Sequence, residues 1–268
     1  MALSLLHRDL GGKGLPVLIV LHGLMGASRN WQTLGREISS QYHVIALDLR
    51  NHGSSPHSAE MTYDSMAKDV VAWMDSLGIE QAILLGHSMG GKVAMVAACH
   101  YPKRFSKLIL VDIAPKNYFW PAHRAEFAAM KALNLTTLNS RLEAEVSLEK
   151  DIPSLALRKF LLTNLERTND GTWKWIVNLE VISSAVSHLE SNPLTSSDQY
   201  LGPTCFIIGG KSDYVKKEDE SLIRAIFPLT QIITLPKAGH NPHMDSKDEF
   251  LKAVLTFTEQ TKSLESSA

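Results

Sequence analysis

The chain has 268 residues, 44% of them hydrophobic, with 27 basic side chains against 28 acidic ones. That is enough for one large α/β domain, or one domain carrying an insertion, and for a core that needs no disulfide or metal staple. A formal net charge of -1 excludes the basic field on which non-specific nucleic-acid binding rests, and equally a polybasic attraction to anionic membranes.

The N-terminal apolar patch is broken by His7, Arg8 and Asp9 and followed by glycines, so no signal or transit peptide is read there. Apolar runs such as those near 17–21 and 108–111 fall well short of the ~18 residues of a membrane span. No membrane insertion and a cytoplasmic location are therefore expected. Short β-branched runs at 17–21, 44–47, 83–85, 108–111, 205–208 and 232–235 alternate with helical patterns at 31–39, 65–77, 92–100, 221–227 and 247–258. The strands are continuously apolar, as they are where helices cover both faces of a parallel sheet. Between Pro115 and about Ser196 the rhythm changes. Phe127, Met130 and Leu133 share a face, Ser140 and Glu143 suggest a capping box, and Leu179, Ile182, Val186 and Leu189 recur at helical spacing. An all-helical block inserted between two strands predicts a cap over one sheet edge. The expected division is core 1–114, cap 115–196 and core 197–268, with a frayed polar tail after about Gln260.

The strongest local signal is Gly86-His87-Ser88-Met89-Gly90, between a strand and a helix. A serine held at so tight a strand-to-helix turn needs glycine two positions away on either side, because larger side chains collide. The following helix points its N-terminal N–H groups at the serine, where negative charge is favoured. His22-Gly23-Leu24-Met25-Gly26 follows the first core strand. It brings a second backbone N–H to the same place, so the amides of Leu24 and Met89 form the expected oxyanion hole, and His22 shapes that loop by hydrogen bonding.

A serine nucleophile needs a neutral imidazole as base. Of 11 histidines, His240 stands on a loop directly after the last strand. His87 is expected to point away from the serine, and His52, His100 and His188 read as packing or surface residues. His243 could pair with His240 on a metal, but no third ligand has suitable spacing, so neither a metal nor a cofactor is expected. Two aspartates keep the order Ser, Asp, His: Asp112 and Asp213, each at the carboxyl end of a strand. Spacing leaves both open. The two cysteines, Cys99 and Cys205, read as buried thiols. Gly210-Lys211-Ser212 mimics the end of a P-loop but lacks its first glycine and opens no helix.

Together these segments resemble the α/β-hydrolase superfamily, and more closely the branch of bacterial YbfF-like esterases and their mitochondrial abhydrolase relatives. The residues that carry this are His22-Gly23-Leu24, the run Asp48-Leu49-Arg50-Asn51-His52-Gly53, the serine motif extended to Lys92, Asp112-Ile113-Ala114-Pro115, and Ala238-Gly239-His240. The resemblance implies an eight-stranded, mostly parallel sheet flanked by helices with an inserted helical cap. It also implies Asp112 as the acid, since many members of the branch lack an aspartate matching Asp213. This chain carries both. Asn241-Pro242 departs from the branch, which places an aromatic residue after the histidine. Tyr118, Phe119, Trp120, His123 and Phe127 follow closely on Asp112 and are expected to line an apolar acyl pocket with His22 and Asn241. The expected activity is that of a serine esterase on short- to medium-chain acyl esters or thioesters. The alternatives are an acyltransferase or cofactor-free perhydrolase on the same residues, or a non-catalytic binding protein. The expected partner is a small acyl substrate, with no nucleic acid; oligomeric state is left open.

Overall fold

A computed structural model describes residues 2–259. Seven strands form one sheet in the order β1-β3-β2-β4-β5-β8-β9. They are β1 (His7–Asp9), β2 (Val17–Leu21), β3 (His43–Leu47), β4 (Ala82–His87), β5 (Phe105–Val111), β8 (Thr204–Gly209) and β9 (Thr230–Leu235). All are parallel except β1, which runs antiparallel to β3. Side chains alternate across the sheet. Ile19, Leu21, Leu84 and Leu110 face α2 (Tyr63–Ser76) and α3 (Met89–His100), in one buried cluster. Leu18, Val20, Leu85 and Ile109 face α1 (Gln32–Ile38) and α11 (Lys247–Glu259), in the other. Both faces are dry, which is why these strands read as unbroken apolar runs.

The resemblance implied eight strands, and the described residues form seven. The reason lies ahead of β1, where the backbone N–H groups of Leu3 and Leu6 donate to Asp69 and to Ser55 instead of to a neighbouring strand. The insertion between β5 and β8 holds α4 (Pro121–Ala132), α5 (Arg141–Ser147), α6 (Leu155–Leu162), α7 (Leu179–Ser184) and α8 (Val186–Glu190). Its periodicity predicted an all-helical block, and the structure corrects this. An antiparallel pair, β6 (Leu165–Arg167) and β7 (Trp173–Trp175), closes through Asp170-Gly171, with Gly171 at φ 87°. The remaining helices are α9 (Glu220–Ile226) and α10 (Pro242–Asp245). The polar tail from Gln260 lies outside the described residues. No helix among the described residues is long and apolar enough to cross a membrane.

Strand order reverses at β2 and β4, which lie side by side although β3 separates them in the chain. The carboxyl ends of such strands open onto the crevice where α/β sheets place ligands. His22 follows β2, and Ser88 follows β4.

Candidate active site

Ser88 sits between β4 and α3 with φ 51° and ψ -117°, a backbone conformation that non-glycine residues seldom adopt and that carries strain. The glycines flanking it are forced by close approach. A Cβ at Gly86 would lie 2.3 Å from the Gly90 carbonyl oxygen, and one at Gly90 would lie 2.4 Å from that of His22. The turn thus packs directly on the strand end that carries the His22 loop.

Two residues distant in sequence line up behind this serine. His240 Nδ1–H donates to Asp112 Oδ2 at 2.8 Å, leaving Nε2 to accept the Ser88 hydroxyl at 3.0 Å. Asp112 is fully buried and is itself at a positive φ of 49°. Its carboxylate also accepts from the Gly209 N–H at 2.9 Å and the Ser212 hydroxyl at 2.5 Å. Three hydrogen-bonded partners around one carboxylate fix its position. Asp213 is exposed and makes no contact with His240 among the described residues. The strand it follows is one place further out, and the turn there sends Ser212 inward and Asp213 to solvent.

The loop after β2 is shaped by two neutral histidines. His22 donates from Nδ1 to the Gly23 carbonyl and accepts the Leu49 N–H at Nε2 (2.8 and 3.0 Å). His52, expected only as a packing or surface residue, is fully buried; it donates to the Arg50 carbonyl and accepts the Met25 N–H at 3.2 Å. Burial lowers the pKa of both, that of His52 to about 3. Each ring therefore keeps the acceptor nitrogen that its loop amide needs. With Met25 held at φ 60°, the N–H groups of Leu24 and Met89 donate to no protein acceptor among the described residues. A Cβ at Gly23 would lie 3.4 Å from that of Ser88, so the loop lies against the serine. Asn164 Nδ2, from the insertion, donates to the Met25 carbonyl at 2.8 Å and ties the loop from above.

Of the expected pocket residues, Tyr118 and Trp120 stack at 5.1 Å, and His123 meets Trp120 edge-on at 5.3 Å with Phe127 behind it at 6.3 Å. Phe119 does not join them. In an extended run flanked by two inward rings it points the other way, is 76% exposed and lies against Arg124. Asn241 is exposed beside His240, where its carbonyl caps α10. His87 makes no bond to Ser88 Oγ but donates from Nε2 to the His240 carbonyl at 2.8 Å. His243 stacks on Trp31 at 4.5 Å, turned away from any pairing with His240.

Sequence reasoning overlooked three further residues. Ser212 belongs to the stretch set aside as a false P-loop, and Tyr214 lies two residues past it. Tyr214 stacks on His240, with ring centroids 3.5 Å apart. Lys92, fully buried on α3, donates to the carbonyls of Leu189, Glu190 and Ser191 at the end of α8 and faces the Tyr118 ring at 4.8 Å. A single charge in the otherwise apolar stretch from Met89 to Cys99 was the available signal.

Comparison with known proteins gives a consistent picture. The chain is 36% identical over 254 residues to the sn-1-specific diacylglycerol lipase ABHD11 of Mus musculus, covering 92% of this chain and 82% of that protein. It is 32% identical over 238 residues to the esterase YbfF of Escherichia coli strain K12, covering 88% and 91%. A solved marine microorganism esterase superposes with a TM-score of 0.93 at 36% identity, over 96% of this chain and all of that one. The alpha/beta hydrolase fold family model matches residues 16–247. With the family model matching most of its length and relatives above 30% identity covered over most of theirs, the chain is a hydrolase and belongs to the α/β-hydrolase fold family.

Proposed function

We propose that this hydrolase is a serine carboxylesterase acting on short- to medium-chain acyl esters or thioesters through an acyl-enzyme on Ser88. The observation that carries the reading is the unbroken hydrogen-bonded chain from Ser88 through His240 to Asp112. Ser88 Oγ attacks the substrate carbonyl as its proton passes to His240 Nε2, and Asp112 stabilises the imidazolium and holds its tautomer. The amides of Leu24 and Met89 receive the oxyanion, where one such donor is worth ~3–4 kcal/mol of transition-state stabilisation. His240 returns the proton to the departing alcohol or thiol. Water then repeats the sequence, releasing the acid and restoring the serine.

Residues 115–196 act as a cap whose inner wall, Tyr118, Trp120, His123 and Phe127, receives the acyl chain. Relatives named as esterases and lipases support ester chemistry at this site. Replacing Ser88 by Ala is expected to reduce p-nitrophenyl ester turnover by roughly a millionfold while circular dichroism stays unchanged. A fluorophosphonate probe should label the parent serine and not the variant. A variant that keeps its turnover overturns the assignment. An acyl-length series of p-nitrophenyl esters and acyl-CoA thioesters on the parent enzyme then reads the chain preference.

A further inference from the structure

The contact between Tyr214 and His240 is unusual in kind. Their centroids are 3.5 Å apart with the planes inclined by 17°, so the rings overlap almost fully. Aromatic pairs ordinarily lie offset or edge to face, with centroids ~4.5–7 Å apart, because two electron-rich faces repel. A full overlap is thus the arrangement two neutral rings favour least. It becomes favourable once one ring is a cation, since the face of a tyrosine carries negative quadrupole charge.

Tyr214 is held there by the same groups that hold Asp112. Its N–H donates to Ser212 Oγ at 3.2 Å, and that hydroxyl donates to Asp112. Its carbonyl accepts the Tyr118 hydroxyl at 2.9 Å, which in turn accepts the Ala114 N–H at 2.8 Å. Tyr118 and Trp120 back the ring at 5.6 and 5.8 Å. The Tyr214 hydroxyl makes no hydrogen bond among the described residues, so the ring face is what the residue contributes. Burial, ahead of the charges of Asp112 and Glu126, pushes its phenol up to about 12, and it stays neutral through the working range.

The other groups in contact with His240 are Ser88, Asp112 and His87, with His243 close enough to act through its charge alone. Burial keeps His87 well below the ordinary histidine range and brings His243 to about 3, so both are neutral. No cation among them competes for the imidazole face.

We infer that Tyr214 is a positioning residue that acts through His240: its face fixes the rotation of the imidazole and selectively stabilises the imidazolium formed as Ser88 gives up its proton. An interaction stronger in the charged state than in the resting one accelerates the chemical step and leaves substrate binding unchanged. The inference rests on the serine-hydrolase reading above, and its test separates the two. If Ser88→Ala keeps its turnover, that reading fails. If Ser88→Ala is inactive and the Tyr214 variants behave as the parent, only this inference fails.

The experiment compares Tyr214→Phe, Tyr214→Leu and replacement of Tyr214 by pentafluorophenylalanine, each assayed for kcat, KM and the pH dependence of kcat/KM on a p-nitrophenyl ester. Phe keeps the face and is expected to stay within twofold of the parent. Leu removes the face, and pentafluorophenylalanine keeps its shape while reversing its polarity. Both are expected to lower kcat by roughly fivefold to thirtyfold with little change in KM, and to move the acid limb of kcat/KM to lower pH, because the imidazolium has lost support. A residue that merely fills the pocket wall would raise KM and leave that limb in place. Should Tyr214→Leu fail to fold, the fluorinated ring still decides, since its size is nearly that of Phe. A fluorinated variant with the parent's kcat and acid limb overturns the inference, and so does a Tyr214→Phe variant as impaired as Tyr214→Leu.

Discussion

Asp112 and Asp213 carry the same side chain at the same kind of place, the end of a parallel strand, and differ in what surrounds them. Asp112 is wholly buried, takes a left-handed backbone conformation and accepts from His240, Ser212 and Gly209. Asp213 faces solvent. An asparagine at 112 would offer an amide where His240 Nδ1–H needs an acceptor and would favour the wrong tautomer. Asp112→Asn is therefore expected to lower kcat roughly ten-thousandfold, whereas Asp213→Asn should change it less than twofold. Steady-state kinetics of the two variants on one ester decides, and a severe loss in the second with none in the first would reverse the assignment. Ser88 and His240 were legible because local spacing encodes their surroundings: glycines at fixed offsets, and a loop just past the last strand. The choice between the aspartates was not, since it depends on which way a turn faces after folding. Tyr214 was less legible still. Its partner is distant in sequence, and nothing in the run Gly209-Gly210-Lys211-Ser212-Asp213-Tyr214 marks a ring that will lie on an imidazole.

At the scale of elements, α3 carries both the Ser88 turn and an anchor for the insertion. Lys92 lies one turn beyond Ser88 and places its ammonium among the last carbonyls of α8, where a helix C-terminus favours positive charge. The rings of Tyr63, Tyr118 and Trp120 surround it at 5.5, 4.8 and 5.8 Å. Burial opposes the charge and, only partly offset by Glu190, brings its pKa down to about 7, against about 10.4 in an unfolded chain. Between those values the unfolded chain holds a proton that the folded one has released. Stability then rises with pH across that window, and the charged form costs stability below it. Lys92→Met keeps the apolar stem and removes the titration. Urea unfolding of both proteins at pH 6 and pH 9 should show the parent gaining on the variant at the higher pH. A difference that moves the other way would mean that carbonyls and rings hold the ammonium more strongly than burial opposes it. The helices around the sheet were legible from periodicity, with ends off by up to three residues, as at α3, which begins at Met89, and at α2, whose start is set by the Thr62–Ser65 cap. The β6–β7 pair was not, because three-residue strands are too short to show alternation; only Asp170-Gly171 just ahead of Trp173 and Trp175 marked it.

For the whole molecule, the decisive feature is that the insertion shares its core with the sheet. Leu21, Leu84 and Leu110 from the strands, Val93 and Met95 from α3, and Phe127, Met130, Leu162, Ile182 and Leu189 from the insertion belong to one buried cluster. Backbone carbonyls tie the two parts as well. Tyr63 donates to Leu189 at 2.6 Å, Arg29 to Thr163 at 2.7 Å, and the Asn178 N–H to Asn51 at 2.9 Å. Removing residues 115–196 would bare the N-terminal ends of α2 and α3 around Tyr63 and Lys92 and leave Lys92 without its acceptors. A boundary read from a change of rhythm in sequence thus marks a change of architecture and not a unit of stability. Apolar surface shared in this way couples the unfolding of both parts, and domains that fold alone have cores of their own. Differential scanning calorimetry of the intact chain is accordingly expected to give one transition, with calorimetric and van't Hoff enthalpies equal. A variant with residues 115–196 replaced by a short Gly/Ser linker is expected to be unfolded or aggregated. Two resolved transitions, or a linker variant that melts cooperatively, would show that the sheet and its helices stand without the insertion. The placement of Trp120 and Tyr118 against Tyr214, the ring that stacks on His240, would then be a docking of two bodies and not a consequence of one shared core.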